Sequence, residues 1–248
     1  MIFKDYWNNK ELEGKFKIKY PYLSDLVEKG KLDAKHDFQQ ISLKRFVEDG
    51  NYIMISEDLW DTKLIKAGDI GGKSFHFFTQ NNLNLGTLYF SNSPDAERLP
   101  ATMYFVLHKI TASIRIMIKD DLKFKIDVSD KKSGVYEMTL PSDLQHIIDT
   151  LLFNSTLQFE YYDTRWLDVP LSQIAIIENL PVLETFDGTT LMNFHYGLRE
   201  DKIKEFEKYM FMPAQTYFRI SLKFAYNVAL LKDVYIKVRM HGDKFEAV

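Results

Sequence analysis

The stretch Pro141-Ser142-Asp143-Leu144-Gln145-His146-Ile147-Ile148-Asp149-Thr150-Leu151-Leu152-Phe153 decides the fold. Leu144, Ile147, Ile148, Leu151 and Leu152 fall at the i, i+3, i+4, i+7, i+8 spacing of one apolar stripe, which predicts a helix over 142–153. Ser142 and Gln145 have the spacing of a capping box, and Asp143 suits the positive end of the helix dipole. So wide a stripe has to cover something. The segments on both sides of it are patterned as strands.

Upstream, Ile110, Ala112, Ile114, Ile116 and Ile118 alternate with polar residues and Met117. Asp120-Asp121 reads as a turn, Leu122 to Val128 as a second strand, and Ser129 to Gly134 as a turn into Tyr136, Met138 and Leu140. The expectation is a three-stranded meander that feeds the helix. Downstream, Leu157 to Tyr161 resumes the sheet. Gln173 to Glu178 is apolar enough for a strand covered on both faces. After a turn at Asp187-Gly188, a second helix is expected over 199–211, with Ile203, Phe206, Tyr209 and Met210 as its stripe. Glu200 and Lys204 are placed for an i, i+4 pair, and Pro213 bars continuation. Phe218 to Tyr226 and Val234 to Met240 alternate cleanly and suggest a closing hairpin.

Nearer the N-terminus, Lys15 to Tyr20 alternates Lys with Phe16, Ile18 and Tyr20, as a strand with one wet face would. Pro21 should end it, and a short helix capped by Ser24 should run over Leu23 to Glu28 until Gly30. Ile41 to Val47 suggests a helical turn or two, and Asn51 to Ser56 a strand. Residues 66–100, rich in Gly, Asn and Ser, read as a long loop excursion or contact arm with strand islands at Ser74–Phe78 and Thr87–Phe90. Runs of strands with few helices make the class α+β, a mainly antiparallel sheet packed by helices, in one domain over 1–248.

Composition bounds the function. The 248 residues, 46% hydrophobic and 15% aromatic, suffice for a sizeable core and exclude a disordered chain. With no cysteine there is no disulfide, thiolate metal site or thiol nucleophile. A net charge of -3 is not that of a general nucleic-acid binder. Met1 to Trp7 carries charges where a signal peptide needs an apolar run, and nothing approaches the roughly 18 apolar residues of a membrane span. Abundant Lys, Asn, Ile, Phe and Tyr fit AT-rich codons, as in many phages and low-GC bacteria.

Ala67-Gly68-Asp69-Ile70-Gly71-Gly72-Lys73-Ser74 is a relaxed phosphate-loop pattern, and Ile174 to Glu178 has the look of a Walker B strand. A true phosphate loop opens a helix whose N-terminus meets the anion, whereas here Phe75 to Phe78 reads as a strand. The histidines, His36, His76, His108, His146, His195 and His241, have no metal-binding spacing. His146 should lie on the wet side of its helix. Asp120/Asp121 and Asp163/Asp168 suit turns better than paired acid–base chemistry. No catalytic, cofactor or metal-binding residue is therefore assigned. Lys15, Lys17 and Lys19, Lys123 and Lys125, Arg219 and Lys223, and Lys237 and Arg239 would form a basic surface if their strands shared one sheet face. Such a surface serves edge protection or protein contact before nucleic acid. Tyr6, Trp7, Trp60 and Trp166 are candidate interface anchors.

The Lys-alternating strand expected to run into Pro21, the long strand at Ile110–Ile118, the capped helix at 142–153, and the later strand Ile174–Ile177 come in a suggestive order. That strand leads through Pro181, Glu184 and Asp187-Gly188 to the closing strand from Arg219 to Val228. This order resembles the tail-terminator and neck proteins of contractile-tailed phages. The 66–100 loop and Val234–Met240 have no counterpart in that layout. The resemblance implies a non-enzymatic virion subunit, made in the host cytoplasm. It would form a ring of its own copies and meet other tail or neck proteins, with no membrane and no cofactor. The alternatives are a nucleotide-binding enzyme using Lys73 and Ser74, and a nucleic-acid module using the basic rows.

Overall fold

The computed structural model describes residues 10–33, 46, 51–79, 91–116, 126–130, 135–138, 142–177, 203 and 205–248. In chain order these form helices α1 (Lys10–Lys19) and α2 (Pro21–Glu28), then strands β1 (Tyr52–Ser56), β2 (Leu59–Ile65), β3 (Gly68–Asp69), β4 (Ser74–Phe77) and β5 (Met103–Ile116). They continue with β6 (Ile126–Asp130), β7 (Val135–Met138), helix α3 (Ser142–Phe153), β8 (Ser155–Tyr161), β9 (Thr164–Pro170), a 3-10 turn at Leu171–Gln173 and β10 (Ala175–Ile177). β11 (Met210–Met212), β12 (Phe218–Phe224), β13 (Ala229–Leu230) and β14 (Val234–Ala247) complete the list.

The α+β class holds, and all but one of the sheet pairings among the described residues are antiparallel. One six-stranded sheet is built on two 14-residue strands, β5 and β14, which pair along almost their whole length. β1 and β2 lie in succession along the outer side of β14. β11 and the parallel strand β10 lie along the outer side of β5. A second sheet has the order β4-β12-β8-β9.

The two sheets and α3 share the main core. β5 and β14 bring Ile110, Ala112, Ile114, Val234, Ile236 and Val238; β8 and β12 bring Leu157, Phe159, Ile220 and Leu222. From α3, Ile147, Ile148, Leu151 and Leu152 close the same cluster, so four members of the expected stripe are buried, while the Leu144 side chain lies outside the described residues. Ser142–Phe153 has the expected bounds, while the capping-box expectation rests partly on the Ser142 side chain, which lies outside the described residues. His146 is exposed, and Gln145 donates to Asp149 one turn on.

A second, mostly aromatic cluster covers the opposite face of the large sheet. Tyr104, Val106, Phe211 and Phe245 of the sheet meet Phe16, Tyr20, Leu23 and Leu26 of α1 and α2. Tyr20 stacks on Phe46 at 4.5 Å between ring centres and donates its hydroxyl to the Phe46 carbonyl.

A bulge lets β5 serve both clusters. His241 and Gly242 are neighbours in β14, yet their partners Lys109 and Leu107 are two apart, so His108 is an extra residue in β5. Before it, Met103, Phe105 and Leu107 face the main core; after it, Ile110, Ala112, Ile114 and Ile116 do. The bulge shifts the alternation by one residue and keeps both runs on the same side. The strand begins seven residues before the expected Ile110, and the bulge puts that first part out of phase with the rest.

Several expectations are corrected. Lys15 to Lys19 is the second half of α1, not a strand, and Tyr20 joins it to α2: Phe16 and Tyr20 are buried four residues apart, while Ile18 is 86% exposed. Lys15–Glu11 and Lys17–Glu13 are i, i+4 ion pairs at 3.1 and 3.4 Å, a helical spacing hidden in the Lys alternation. Pro21 opens α2 at its first turn instead of ending a strand, Ser24 is buried inside that helix, and the chain leaves it through Gly30 at φ +68.

The described part of 199–211 is not helical. The Phe206 N–H donates to the His108 carbonyl, the Tyr209 N–H to the Lys31 carbonyl, and Met210–Met212 pairs with Leu107–Phe105. These backbone groups are engaged by tertiary partners and cannot close helical turns. The expected closing hairpin is split, because β12 lies in the second sheet and β14 in the first. The meander is split as well: β6 and β7 pair with each other, and the sheet partners of β5 among the described residues are β14, β10 and β11.

Of the 66–100 stretch, β4 is an edge of the second sheet, and Phe77, Phe78 and Leu99 are buried in the core. Those parts are woven into the fold instead of forming an excursion. Ile41–Val47 apart from Phe46, Asp120-Asp121, Thr87–Phe90, Asp187-Gly188 and the Glu200–Lys204 pair lie outside the described residues.

Candidate functional site

Among the described residues, three arrangements have chemical content. The first lies on the helix-covered side of the large sheet, beside the His108 bulge. Asp243 accepts a hydrogen bond of 2.5 Å from the Tyr22 hydroxyl of α2, and its Oδ2 lies 3.1 Å from His108 Nε2. Tyr209 stacks on the His108 ring at 4.2 Å and donates to Glu205. Burial would raise the Asp243 carboxyl, but hydrogen bonds from His108 and Tyr22 outweigh it and hold the group below its ordinary range. The Tyr22 hydroxyl is pushed far up by burial and by the Asp243 carboxylate; the Tyr209 hydroxyl is pushed up to about 12 by burial and Glu205.

Next to it, His241 Nδ1 lies 3.0 Å from Asp58 Oδ2, and its Nε2 lies 2.8 Å from Thr111 Oγ1. Hydroxyl, imidazole and carboxylate in that order is the arrangement of an activated nucleophile. Here Thr111 is only 3% exposed in the middle of β5, so its hydroxyl is not presented to a substrate. The first network satisfies polar groups where α2 meets the sheet, and the second ties the turn between β1 and β2 to β14 and β5. Spacing in the sequence could not reveal either, since their members come from segments far apart in the chain.

The second arrangement is an open cleft of about 380 Å³ at the turn between β8 and β9. It is lined by Glu97, Tyr162, Asp163, Gln215, Tyr217 and Arg219, among others. Tyr162 and Asp163 form the two-residue turn at φ 49 and 55, and Glu97 and Gln215 sit at φ 51 and 60. Left-handed backbone is uncommon for residues other than glycine, and here it gathers around one cleft. The Glu97 and Asp163 carboxylates make no hydrogen bond or ion pair among the described residues. Glu160, at the same wall, faces Arg165 at 3.6 Å and Arg219 at 3.7 Å. Asp163 thus sits in a turn as expected, while Asp168 lies in β9 with Arg165 at 3.0 Å.

The third is the edge strand β1. Among the described residues it pairs only with β14, and Ile53, Met54 and Ile55 are 55%, 45% and 37% exposed. Three consecutive apolar residues place apolar surface on both faces of an open edge.

The remaining candidates fall into ordinary places. Lys73 donates to the Asp69 carbonyl of its own loop, and β4 follows directly, so no helix N-terminus stands where a phosphate would bind. Among the described residues no group of three or more His, Asp or Glu is arranged to hold a metal ion. The basic rows do not share a face: Lys15, Lys17 and Lys19 are on α1, Arg219 and Lys223 on β12, Lys237 and Arg239 on β14, and Lys123 and Lys125 lie outside the described residues. The Lys237 ammonium stands 4.0 Å over the Trp60 ring, so that ring is covered, whereas Trp166 on β9 is 49% exposed. Tyr6, Trp7, His36 and His195 lie outside the described residues, and no described helix is long and apolar enough to cross a membrane.

No family model matches the chain, and neither a curated protein nor a solved structure shows detectable similarity to it.

Proposed function

We propose that this chain is a non-enzymatic structural or assembly subunit that works through protein–protein interfaces. In the reading suggested by its order of elements, it is a ring-forming terminator, adaptor or connector at the tail or neck of a phage virion. The observation that carries the proposal is β1, which among the described residues is an open sheet edge with Ile53, Met54 and Ile55 exposed together. An apolar edge of this kind is a template for another strand. Among the described residues the second sheet ends in another edge, β9, with Trp166 exposed on it. Two unlike edges on one subunit are what a heterologous, head-to-tail contact requires, and such contacts close into rings when the rotation allows. The neighbours are copies of the chain and other virion proteins.

The test is the particle size of the purified chain by size-exclusion chromatography with light scattering, alone and with Ile53→Lys/Ile55→Lys. Assembly that the double substitution abolishes supports the reading. A wild-type monomer that stays monomeric at every concentration and beside its genomic neighbours' products sinks it.

A further inference from the structure

We infer that the open edge of β1 receives strand β7 of a second copy of this chain, so that the β6–β7 hairpin is the donor in a head-to-tail contact. The inference rests on the assembly reading above and names the segment that meets the β1 edge.

The edge sets the terms for its partner. Tyr52 to Ser56 carries no charge and pairs with β14 without a bulge, from Tyr52 opposite Ala247 to Ser56 opposite Asp243. Alternation puts Ile53 and Ile55 on one face and Met54 on the other, and all three are exposed. A short, regular strand laid along the free side would take up the outward backbone groups and extend apolar surface on both faces.

The hairpin lacks a sheet. Among the described residues β6 and β7 pair only with each other. Two strands alone are marginally stable in water, and a third strand is what they need. Asp127 pairs with Glu137 but Asp130 with Val135, so the extra residue lies in β6 and bends that strand. β7, Val135 to Met138, is the regular one, and its single charge, Glu137, meets no charge on β1. The other open edge, β9, is a poorer donor. Leu167 pairs with Phe159 and Arg165 with Glu160, so Trp166 is an extra residue there, and Pro170 has no N–H to offer. Bulges and prolines of this kind close an edge to further strands.

Position makes the contact one between copies. β5, which leads to the hairpin, ends at Ile116 opposite Val234, the first residue of β14. β1 lies opposite Asp243 to Ala247, the last five residues of the same strand. The chain thus leaves the sheet for the hairpin roughly 30 Å from the β1 edge, at about 3.3 Å per residue of β14. Donor and acceptor rooted at opposite ends of one pair of strands are the arrangement from which a heterologous contact repeats.

The experiment is cross-linking of the full chain. It has no cysteine, so an introduced cysteine reports a single position. Met54→Cys and Glu137→Cys chains are prepared separately, mixed, assembled and treated with a short bismaleimide, which tolerates a small offset in register. The mixture should give a covalent dimer and neither chain alone should, because a head-to-tail contact sets β1 against β7 and not against itself. Ile55→Cys with Val135→Cys repeats the test if either first variant fails to fold or assemble. The inference is overturned if the assembled mixtures give no dimer, or if Met54→Cys alone dimerises, which is β1 meeting β1 across a two-fold axis. It is equally overturned if Met54→Cys cross-links to Trp166→Cys instead, or if a chain carrying both Met54→Cys and Glu137→Cys closes only on itself. Particle size is measured independently. A chain that assembles without the expected cross-link refutes β7 as the donor and leaves the assembly reading standing, whereas a chain that never assembles removes both.

Discussion

Gly242 lies against the ring of Phe105: a Cβ added at Gly242 would stand 2.7 Å from Phe105 Cζ and closer still to the Val106 carbonyl oxygen. The contact sits at the bulge where β5 carries His108 as an extra residue, so the two longest strands meet there without room for a methyl group. Gly242→Ala should therefore force backbone apart at the centre of the large sheet. The expected cost is about 3 kcal/mol, the upper part of the range for overpacking. Urea unfolding followed by far-UV circular dichroism would measure it; a loss within experimental error would show that the strands can part freely.

The same bulge places Asp243 beneath Tyr22. The carboxyl of Asp243 is held below its ordinary range in the folded chain, because the hydrogen bonds from His108 and Tyr22 offset the effect of burial. A depressed carboxyl contributes stability that is present above the unfolded value of about 3.9 and is lost as pH falls through the lower, folded value. Asp61 has the opposite sign. Burial raises it despite the N–H of Phe78 at 2.7 Å, so its contribution is largest at low pH and declines as pH rises through its folded value. Asp243→Asn should flatten the acid side of the stability profile, below about pH 4, and Asp61→Asn should instead gain stability above it. Chemical denaturation between pH 2 and 8 separates the two; parallel profiles for wild type and Asp243→Asn would show that the Tyr22 contact does not depend on charge.

Leu151 tests the helix that holds the sheets together. It is fully buried in the cluster shared by both sheets. Leu151→Ala should cost about 2–5 kcal/mol, the transfer term plus the cavity left where α3 meets the strands. The exposed Phe153, 69% accessible at the end of the same helix, is the control: Phe153→Ser should change the unfolding midpoint little. Equal losses at the two positions would mean that α3 does not pack as described.

How far the sequence discloses this architecture depends on the length of each pattern. The α3 stripe spans three turns and permits one reading. Lys15 to Tyr20 offers only six residues, and an alternation that short fits a strand or, through Phe16 and Tyr20, a helix. Glu11 and Glu13, one turn before Lys15 and Lys17, are the signal that decides it. Met103 to Leu107 is apolar on both sides because it serves two clusters, so it carries no alternation, and the His108 bulge puts it out of phase with Ile110. Phe218–Phe224 and Val234–Ala247 are adjacent in sequence yet belong to different sheets; nothing local in either strand says so. The cleft was invisible for another reason. Glu97, Asp163 and Gln215 converge only through the pairing of residues 97–99 with 215–218 and through a turn whose residues lack the usual Asn-Gly signature.

The edge strand makes a prediction separate from particle size. If Ile53 and Ile55 serve contact between chains, they contribute little to the isolated fold, because each leaves a third or more of its surface exposed. Ile53→Lys/Ile55→Lys should lower the stability of the chain by no more than about 1 kcal/mol, twice the usual range for a surface position. Amide exchange on β1 should slow when the chain assembles, since an added strand would take up the backbone groups of the open edge. A large loss of stability in the variant would place these residues in the core of the monomer.

The turn at Tyr162-Asp163 gives the last prediction, because it separates a backbone compromise from a tolerated accident. Both residues hold positive φ, at 49 and 55, and Tyr162 is bulky and exposed. Residues in this region cost about 1–3 kcal/mol each when their type disfavours it. Tyr162→Asn/Asp163→Gly installs the pair that a type I′ turn favours and should raise the stability of the β8–β9 hairpin by about 1–2 kcal/mol. The Tyr162 hydroxyl, 3.5 Å from Thr216, and the Tyr162 ring, 4.7 Å from that of Tyr161, contribute only weak contacts to set against the gain. A more stable chain would show that the native pair is strained in this turn; a less stable one would show that Tyr162 is an ordinary packing residue.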